Sequence, residues 1–365
     1  MTNEYYPHGP RPLDSASNLV DSFSVGMTDI ICNVRCDIAL QKTWNHYLAP
    51  YFVLDSTSPH PGARFTLRQY AKSDIEDRLW RATFQSNVLL HGEMAGRIGR
   101  RLDTGHLLVQ NLQLESLYEI APDPIPSVEL LYPGPFDSDA LDSLRIVRGW
   151  VVRSMEMRGA SRCHMSALAR GGKAIAFIGD QGAGKTSFML SLLRTQRGYE
   201  FIANDKALIG AGGNGRTVHP AIWGLPLAVA ISTDSLPSCP EIAPTRDSRI
   251  IDGKLYLWPQ DLAQDLNTSC TPKAELAVVC FCHLDLRKAG ITTSAIPPEN
   301  RPPLEHSPLL QFTDRINPDW LLEILHMPTP KPTTAGLLLN VPWIQLEGNP
   351  WYEGWPQLAD KLLLT

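Results

Sequence analysis

The chain has 365 residues, of which 43% are hydrophobic and 19% are charged, and its formal net charge is −5. This length predicts two domains, or one large domain with an appendage, and the hydrophobic fraction is ample for a sizeable core. The negative charge excludes a bulk polycation that would bind nucleic acid, and no unbroken apolar run reaches the length of a transmembrane helix.

The beginning of the chain and its seven cysteines both bear on the compartment. Residues 1–8 lack the basic and then apolar pattern of a signal peptide, so we expect a cytoplasmic protein with no membrane partner. An odd number of cysteines without framework spacing favours reduced thiols. Cys280, Cys282 and His283 stand close together, but in a β-like apolar run we expect the thiols to act as small hydrophobic groups.

Short β-like stretches recur in the first third of the chain, at 23–32, 65–70, 87–90 and 106–112. They predict a small, β-rich N-terminal domain, which we place at residues 1–135. A proline-rich stretch at 121–135 is typical of a linker, as is a second one at 297–308. Two roles stay open for this domain, namely binding of an acceptor and assembly, including assembly into a homo-oligomer.

An alternation of strands and helices is predicted after the linker, in residues 136–365. Residues 139–159 have the apolar spacing of an amphipathic helix. Residues 164–169 and 173–178 predict a β-hairpin. Further strands are predicted at 201–203, 206–210, 227–232, 274–284, 337–341 and 343–346, and further helices at 259–266, 319–325 and 355–364. The predicted class is therefore α/β.

Residues 179–186, Gly-Asp-Gln-Gly-Ala-Gly-Lys-Thr, match the phosphate-binding pattern G-x-x-x-x-G-K-[ST] in full. A short apolar strand precedes the loop and a helix follows it, which is the context that this motif requires. Glycines let the backbone wrap around a phosphate chain, and amide groups at the helix N-terminus attract it. Lys185 would reach the β- and γ-phosphates, and the hydroxyl of Thr186 would bind Mg²⁺. The alternative is a glycine-rich turn before an ordinary helix.

The loop thus predicts a bound nucleotide and Mg²⁺. We expect ATP as the donor, with GTP and pyrophosphate as open alternatives. The residues predicted to bind the nucleotide are Gly179, Asp180, Gln181, Gly182, Ala183, Gly184, Lys185, Thr186 and Ser187.

The neighbouring sequence distinguishes among the classes of phosphate-loop proteins. GTP-binding domains recognise guanine with Asn-Lys-x-Asp, whereas this chain has Asn-Asp-Lys-Ala at 204–207. The Leu-Ser-Gly-Gly type of signature that marks transport ATPases is not found either. These differences favour a kinase or a stand-alone nucleotide-binding module.

Three further features lie around the loop: His164 upstream, the pair Asn204-Asp205 at the end of a short strand downstream, and a proline-rich turn at 219–226. Together with the loop, they resemble the bacterial HPr serine kinase/phosphorylase family and its small-kinase relatives, over roughly residues 160–232. The resemblance implies that residues 136–365 form an HPr-kinase-like, phosphoenolpyruvate carboxykinase-like P-loop domain of the α/β class, beside the smaller β-rich N-terminal domain.

By this resemblance, Asp205 is the catalytic carboxylate that accepts the proton of the attacking hydroxyl, and His164 beside it tunes its charge. A carboxylate that orients the nucleophile is also what phosphoryl transfer requires of a protein. Two alternatives stay open, since Asp205 could cap a turn and His164 could be structural. The predicted magnesium ligands are Thr186 and Asp205, and the predicted catalytic residues are Asp205, His164, Lys185 and Lys254.

Lys254 enters because transition-state charge requires a cation in addition to Mg²⁺. The polar loop at 245–254 offers Arg246, Arg249 and Lys254, and Lys254 is preferred because it begins the following strand. The alternative is a solvated surface loop.

The chain also departs from the family pattern in two places. Asn204 stands where the family has its first Asp, and the region at 223–231 has no equivalent of the family's magnesium-binding Glu. These departures argue against phosphorolysis and against a regulatory role on the carrier protein HPr. They favour the diverged small kinases that occur among biosynthetic enzymes.

The sequence therefore predicts a phosphotransferase with an alcohol group as acceptor. We expect an ATP- and Mg²⁺-dependent kinase that acts on a hydroxyl of a small molecule, an amino-acid-like metabolite or a peptide, in a natural-product or peptide-tailoring pathway. Its predicted partners are a nucleotide and this acceptor, and nucleic acid is not among them. Two rivals stay open: a regulatory or assembly ATPase without a small acceptor, and a non-enzymatic module that binds phosphate structurally.

Overall fold

The computed structural model divides into two compact units, Met1–Ser154 with Arg315–Thr329 and Met155–Asp314 with Pro330–Thr365. Both contain extensive β-sheet, and the molecule is of the mixed α/β class with several sheets. The residues that the structure describes are 23–27, 30–36, 41, 45, 47–49, 51–56, 62–69, 84–88, 97–102, 105–111, 117–121, 125, 127–132, 139–212, 218–243, 249–301 and 334–364.

A mixed sheet dominates the described part of the first unit. Its nine strands are β1 (Phe23–Met27), β2 (Ile30–Arg35), β3 (Val53–Ser56), β4 (Ala63–Gln69), β5 (Phe84–Val88), β6 (Arg97–Leu102), β7 (Leu107–Asn111), β8 (Leu117–Ala121) and β9 (Ser127–Tyr132). The strand order is β3-β1-β2-β4-β9-β8-β7-β6-β5. Strand β4 is parallel to both of its neighbours, β2 and β9, and the other pairs are antiparallel.

The linker predicted at 121–135 is wrong, because β9 lies in the interior of this sheet. Val128 and Leu130 are buried while Ser127 and Glu129 are only partly covered, which is the alternation of a half-buried strand. The prolines on both sides of this strand favoured the prediction of a linker over that of an alternating strand. The boundary between the two units lies between Ser154 and Met155.

Helix α1 (Asp139–Met157) confirms the helix predicted at 139–159 and contains this boundary. Within the first unit, its residues Val147, Trp150 and Val151 are buried at the spacing of one helix face. Trp150 meets Phe65 of β4 edge to face, with ring centroids 6.4 Å apart.

A second sheet forms the framework of the other unit. Its ten strands are β10 (Ser161–Cys163), β11 (Ser166–Arg170), β12 (Lys173–Ile178), β13 (Glu200–Ala203), β14 (Ala207–Gly212), β15 (His219–Gly224), β19 (Ser269–Cys270), β20 (Lys273–Leu284), β21 (Ile291–Ala295) and β22 (Trp343–Gly348). Most of them follow the order β10-β14-β15-β20-β12-β11-β13-β19, and β22 pairs with both β20 and β21.

The centre of this sheet is apolar on both faces. Every residue from Ala174 to Ile178 of β12 is buried, and β20 beside it buries Val278, Val279 and Cys280. A continuous apolar run of this kind is typical of a strand that is covered on both sides. The predicted hairpin of β11 and β12 and the predicted central strand β20 are thus confirmed.

Helices pack against the sheet. Three further strands form a separate small antiparallel sheet. The remaining elements are helices α2 (Lys185–Leu193), α3 (Pro259–Asp265), α4 (Thr334–Leu338) and α5 (Trp355–Leu362) and strands β16 (Val229–Ser232), β17 (Arg249–Ile251) and β18 (Lys254–Leu257), in the order β16-β18-β17. Trp355 of α5 packs against Phe188 of α2 with ring centroids 5.8 Å apart, and its indole N–H donates to the Phe188 carbonyl. No helix within the described ranges combines the length and apolar character needed to cross a membrane.

Two local predictions are wrong in this unit. The strand predicted at 337–341 is the end of α4 followed by a turn, because Leu338 and Val341 are buried three residues apart while Leu339 is 64% exposed. The proline-rich turn predicted at 219–226 is mostly strand β15, which pairs with β14 through six residues. The helix predicted at 319–325 and most of the linker predicted at 297–308 lie outside the described residues.

Candidate functional site

The direction of the strands brings four sequence segments to one edge of the second sheet. Strands β12 and β20 are parallel, and β13 runs in the same direction because both β12 and β13 are antiparallel to β11. The carboxyl ends of β12, β13 and β20 therefore meet at the edge where β11 begins. In open α/β sheets, ligands bind at this edge.

The loop between β12 and α2 requires glycine at both of its ends. Gly179 has φ 140°, and a Cβ there would lie 2.9 Å from the Ala183 Cβ and 3.0 Å from the Cys282 carbonyl oxygen. Gly184 has φ 89°, and its Cβ would lie 2.8 Å from the Cβ of Leu284. A Cβ at Gly182, where φ is 83°, would meet no atom within 4 Å, so the tip of the loop borders open space. The predicted loop residues thus form a turn that packs on β20 and faces outward.

Lys185, the first residue of α2, is folded back under this loop. Its ammonium group donates to the carbonyl oxygens of Gly179 (2.8 Å) and Asp180 (3.0 Å), and the residue is only 9% exposed. Burial lowers the pKa of Lys185, although nearby groups that include the Asp205 carboxylate oppose this shift. The cation is therefore held at the base of the loop, where it can exchange the two carbonyls for phosphate oxygens.

Asn204 is the centre of a buried hydrogen-bond network at the end of β13. Its Oδ1 accepts from the hydroxyls of Thr186 and Ser166, at 2.8 Å each, and its Nδ2 donates to the Ala230 carbonyl at 3.3 Å. Asn204 is 6% exposed and Ser166 is 1% exposed. The network joins the start of α2, the start of β11 and the end of β13, and it satisfies groups whose burial would otherwise be unfavourable.

Asp205 follows this network directly and pairs with His164. The His164 Nδ1 lies 2.9 Å from the Asp205 carbonyl oxygen and 3.1 Å from Oδ1. Because both neighbours are acceptors, Nδ1 carries a proton and donates it. Asp205 has φ 72°, a left-handed backbone that is uncommon outside glycine and that turns its side chain, 48% exposed, out of the strand.

Several charges compete at the Asp205 carboxylate. Burial raises its pKa, but the hydrogen bond and charge of His164 and the charges of Lys206 and Lys254 outweigh burial, so that the pKa lies below its usual value. Lys254 also lowers the pKa of Lys185. Lys254, which begins β18 and is exposed, thus has an electrostatic effect on both residues.

The remaining predicted residues are distributed as follows. Asp180 and Gln181 are exposed in the loop, Ala183 is half-buried, and Ser187 lies half-buried in the first turn of α2. Arg246 lies outside the described residues, and Arg249 is described only through its place in β17.

The oxygen atoms at this edge suit Mg²⁺. Because the Thr186 hydroxyl donates its proton to Asn204, its lone pairs remain available to a cation. Asp205, the residue after Asn204, supplies a carboxylate as a second hard oxygen donor. Mg²⁺ is commonly held by one or two carboxylates together with substrate phosphates. The residues present therefore fit the predicted ion.

The thiols of Cys280 and Cys282 are buried inside β20. Burial raises the pKa of Cys280 to about 12 and that of Cys282 well above its usual value. The thiolate form that binds metals is thus disfavoured. In the ranges that the structure describes, no group of three or more His, Cys, Asp or Glu side chains is arranged to hold a metal ion.

Sequence reasoning missed three contributors to the site. Ser166 and Lys206 stand near His164 and Asp205 in sequence, but only tertiary structure reveals the hydrogen bond of the first and the charge effect of the second. Leu284 carries no motif, yet its Cβ determines that residue 184 must be glycine.

No protein-family model matches the chain, and no curated protein matches it either. Among solved structures, the chain is similar to the Hpr(Ser) kinase/phosphatase from Coxiella burnetii, with 15% sequence identity and a TM-score of 0.26, over 56% of this chain and 88% of that chain. A similarity of this strength carries no statement about activity, which depends on the residues of the site.

Proposed function

We propose that this chain is a kinase that uses ATP and Mg²⁺ to phosphorylate a hydroxyl group of a small molecule, an amino-acid-like metabolite or a peptide. The loop at 179–184 and Lys185 bind the phosphate chain. Asp205 acts as the base at the acceptor hydroxyl, and Thr186 and Asp205 hold the metal ion.

The hydrogen bond from Thr186 to Asn204 is the observation that carries this proposal. It ties the residue before Asp205 to the first turn of α2, at 2.8 Å, and so holds the carboxylate next to the loop. Phosphoryl transfer depends mainly on positioning and on charge neutralisation, with one group that orients the nucleophile. A carboxylate fixed beside a phosphate loop meets that requirement.

The His164–Asp205 pair supports the role of Asp205 as a base. A pKa below the usual value keeps Asp205 ionised at neutral pH, so that its oxygens can accept a hydrogen bond from the acceptor hydroxyl and orient it. His164 donates to it through Nδ1 and thereby fixes the orientation of the carboxylate.

Two cationic side chains act on the groups assigned to this chemistry. Lys185 approaches from the loop, and Lys254 acts electrostatically on both Lys185 and Asp205. When bound, Mg²⁺ would neutralise the phosphate oxygens. The two lysines would stabilise the negative charge that develops during transfer.

The test is nucleotide turnover with and without candidate acceptors, which include free serine and threonine, short peptides that contain them and hydroxylated metabolites. We expect ADP formation that depends on an acceptor and yields a phosphorylated product. Asp205→Asn should lower this rate by about 10²- to 10⁴-fold while ATP still binds. Lys185→Ala should weaken ATP binding itself.

Asp234→Asn is the matched control, because Asp234 is an exposed aspartate in the 3₁₀ turn Thr233–Ser238. Hydrolysis of equal rate without any acceptor would contradict the kinase and favour a regulatory ATPase. Nucleotide binding without turnover in any mixture would favour a non-enzymatic module.

A further inference from the structure

Two loops at the same sheet edge as the phosphate loop expose apolar side chains that the proposed chemistry does not use. Strands β20 and β22 are both parallel to β12, so the loops at 285–290 and 349–354 leave the sheet at its carboxyl edge. Leu286 in the first loop is 58% exposed, and Tyr352 in the second is 45% exposed. Large apolar side chains left exposed beside a ligand site commonly contact the ligand.

The positions of the catalytic candidates determine the direction in which a nucleotide would extend. Asp205 lies just after the end of β13 and His164 just before the start of β11, on one side of β12 in the sheet order, whereas β20 and β22 lie on the other side. A triphosphate on the loop with its terminal phosphate at Asp205 therefore directs its nucleoside toward β20 and β22. Strand β22 is two positions from β12, roughly 10 Å at normal strand spacing. That distance is comparable with the length of a phosphate chain and a ribose.

The first of these loops begins directly under the phosphate loop. Leu284, the last residue of β20, packs against Gly184, where a Cβ would approach the Leu284 Cβ to 2.8 Å. Asp285, which follows, donates its N–H to the Gly348 carbonyl at the end of β22. Two consecutive residues thus connect this edge: Leu284 contacts the phosphate loop, and Asp285 contacts the end of β22 just before the second loop.

The turn at 349–354 holds the Tyr352 ring in a defined position. A Cβ at Gly354 would lie 2.5 Å from the ring, so glycine at this position leaves room for the aromatic group, whereas a Cβ at Gly290 would make ordinary contact with it at 3.9 Å. The Tyr352 N–H donates to the Asn349 carbonyl at 3.2 Å, and the Tyr352 carbonyl accepts from Trp355 N–H at 3.0 Å. A ring that is fixed in this way loses little freedom when a planar ligand stacks on it.

We propose that Tyr352, with Leu286 on the neighbouring loop, forms the surface on which the nucleobase of the donor nucleotide stacks. This inference rests on the proposed phosphate-binding role of the loop at 179–184. Stacking uses the π-face that every base has, and it discriminates little between bases. The site should therefore accept ATP and GTP with similar affinities.

The test compares ATP with inorganic triphosphate, which has the phosphates but no base, by calorimetric titration in the presence of Mg²⁺. Tyr352→Ala should weaken the binding of ATP on the order of ten-fold and leave the binding of inorganic triphosphate unchanged. Tyr352→Phe should bind ATP as the unaltered protein does, because the ring is retained. Leu286→Ala should weaken ATP binding less than Tyr352→Ala, and Leu339→Ala, at another exposed leucine, should have no effect.

The outcomes separate this inference from the proposed function. If the unaltered protein binds inorganic triphosphate as tightly as ATP, the base has no site and the inference fails while the phosphate loop stands. Equal losses of both ligands in Tyr352→Ala would assign the ring a purely structural role and also overturn it. If neither ligand binds, or if Lys185→Ala leaves both affinities unchanged, the proposed function itself fails.

Discussion

Replacing Asn204 with alanine should destabilise the second unit and weaken its proposed activity together. The substitution removes the shared acceptor of Thr186 and Ser166 and the donor to the Ala230 carbonyl. Thr186 is partly exposed and can bond to water, but Ser166 is 1% exposed and keeps an unpaired hydroxyl. With about 1–3 kcal/mol for a buried unpaired group and about 1 kcal/mol for the other bonds, the expected loss is about 2–4 kcal/mol.

A double-mutant cycle of Asn204→Ala and Ser166→Ala tests the hydrogen bond on which this expected loss of unfolding free energy depends. Ser166→Ala alone removes one hydrogen bond and leaves Asn204 paired with Thr186, so it should cost about 1 kcal/mol. In the Asn204→Ala background, the same substitution removes an unpaired hydroxyl and should be neutral or stabilising. The two effects should therefore be non-additive by about 1–3 kcal/mol.

Urea unfolding provides the measurement, with free energies compared only between variants that share the same slope. Asn340→Ala is the control, because Asn340 is exposed in the turn after α4. Additive effects of Asn204→Ala and Ser166→Ala, or a loss for Asn204→Ala no larger than that for Asn340→Ala, would refute the reasoning. A retained phosphate affinity combined with reduced turnover would locate the defect at Asp205 rather than at the loop.

Two further predictions concern the loop and the catalytic pair. Gly184→Ala should cost about 2–4 kcal/mol, because backbone strain adds to the 2.8 Å approach to Leu284, whereas Gly182→Ala should carry strain alone, about 1–2 kcal/mol. Equal losses in urea unfolding would contradict the contact. His164→Gln should move the acid limb of the pH–activity profile to higher pH, because burial then raises the pKa of Asp205 with less opposition. An unmoved limb would exclude this coupling.

The parts of the site that could be predicted from the sequence are those formed by neighbouring residues. The strand, loop and helix from β12 to α2 are contiguous, and their pattern of glycines and apolar residues determines the local backbone. The hairpin of β11 and β12 was predictable for the same reason, since Gly171 and Gly172 adopt the positive φ values that its turn needs.

The parts that could not be predicted depend on residues far apart in the chain. The bond from Ser166 to Asn204 joins residues 38 positions apart, and no local pattern marks either partner. Strand β9 was not predicted because prolines surround it in the sequence. Its buried residues Val128 and Leu130 nevertheless alternate with partly exposed residues, as in a half-buried strand. The run at 337–341 consists of three leucines, Asn340 and Val341, a pattern that fits a strand or a helix, and only the burial of Leu338 and Val341 decides between them.

Asn204 illustrates how the structure changes the meaning of a departure from a family pattern. Taken from the sequence alone, an asparagine in place of the first aspartate is a lost ligand. In the structure, this position is 6% exposed and faces two hydroxyl donors on one side and the Ala230 carbonyl on the other. A carboxylate would place an acceptor against that carbonyl and bury a charge, whereas an amide satisfies both sides. Asn204 is therefore suited to hold the network together, and the proposed chemistry is assigned to the exposed carboxylate of Asp205.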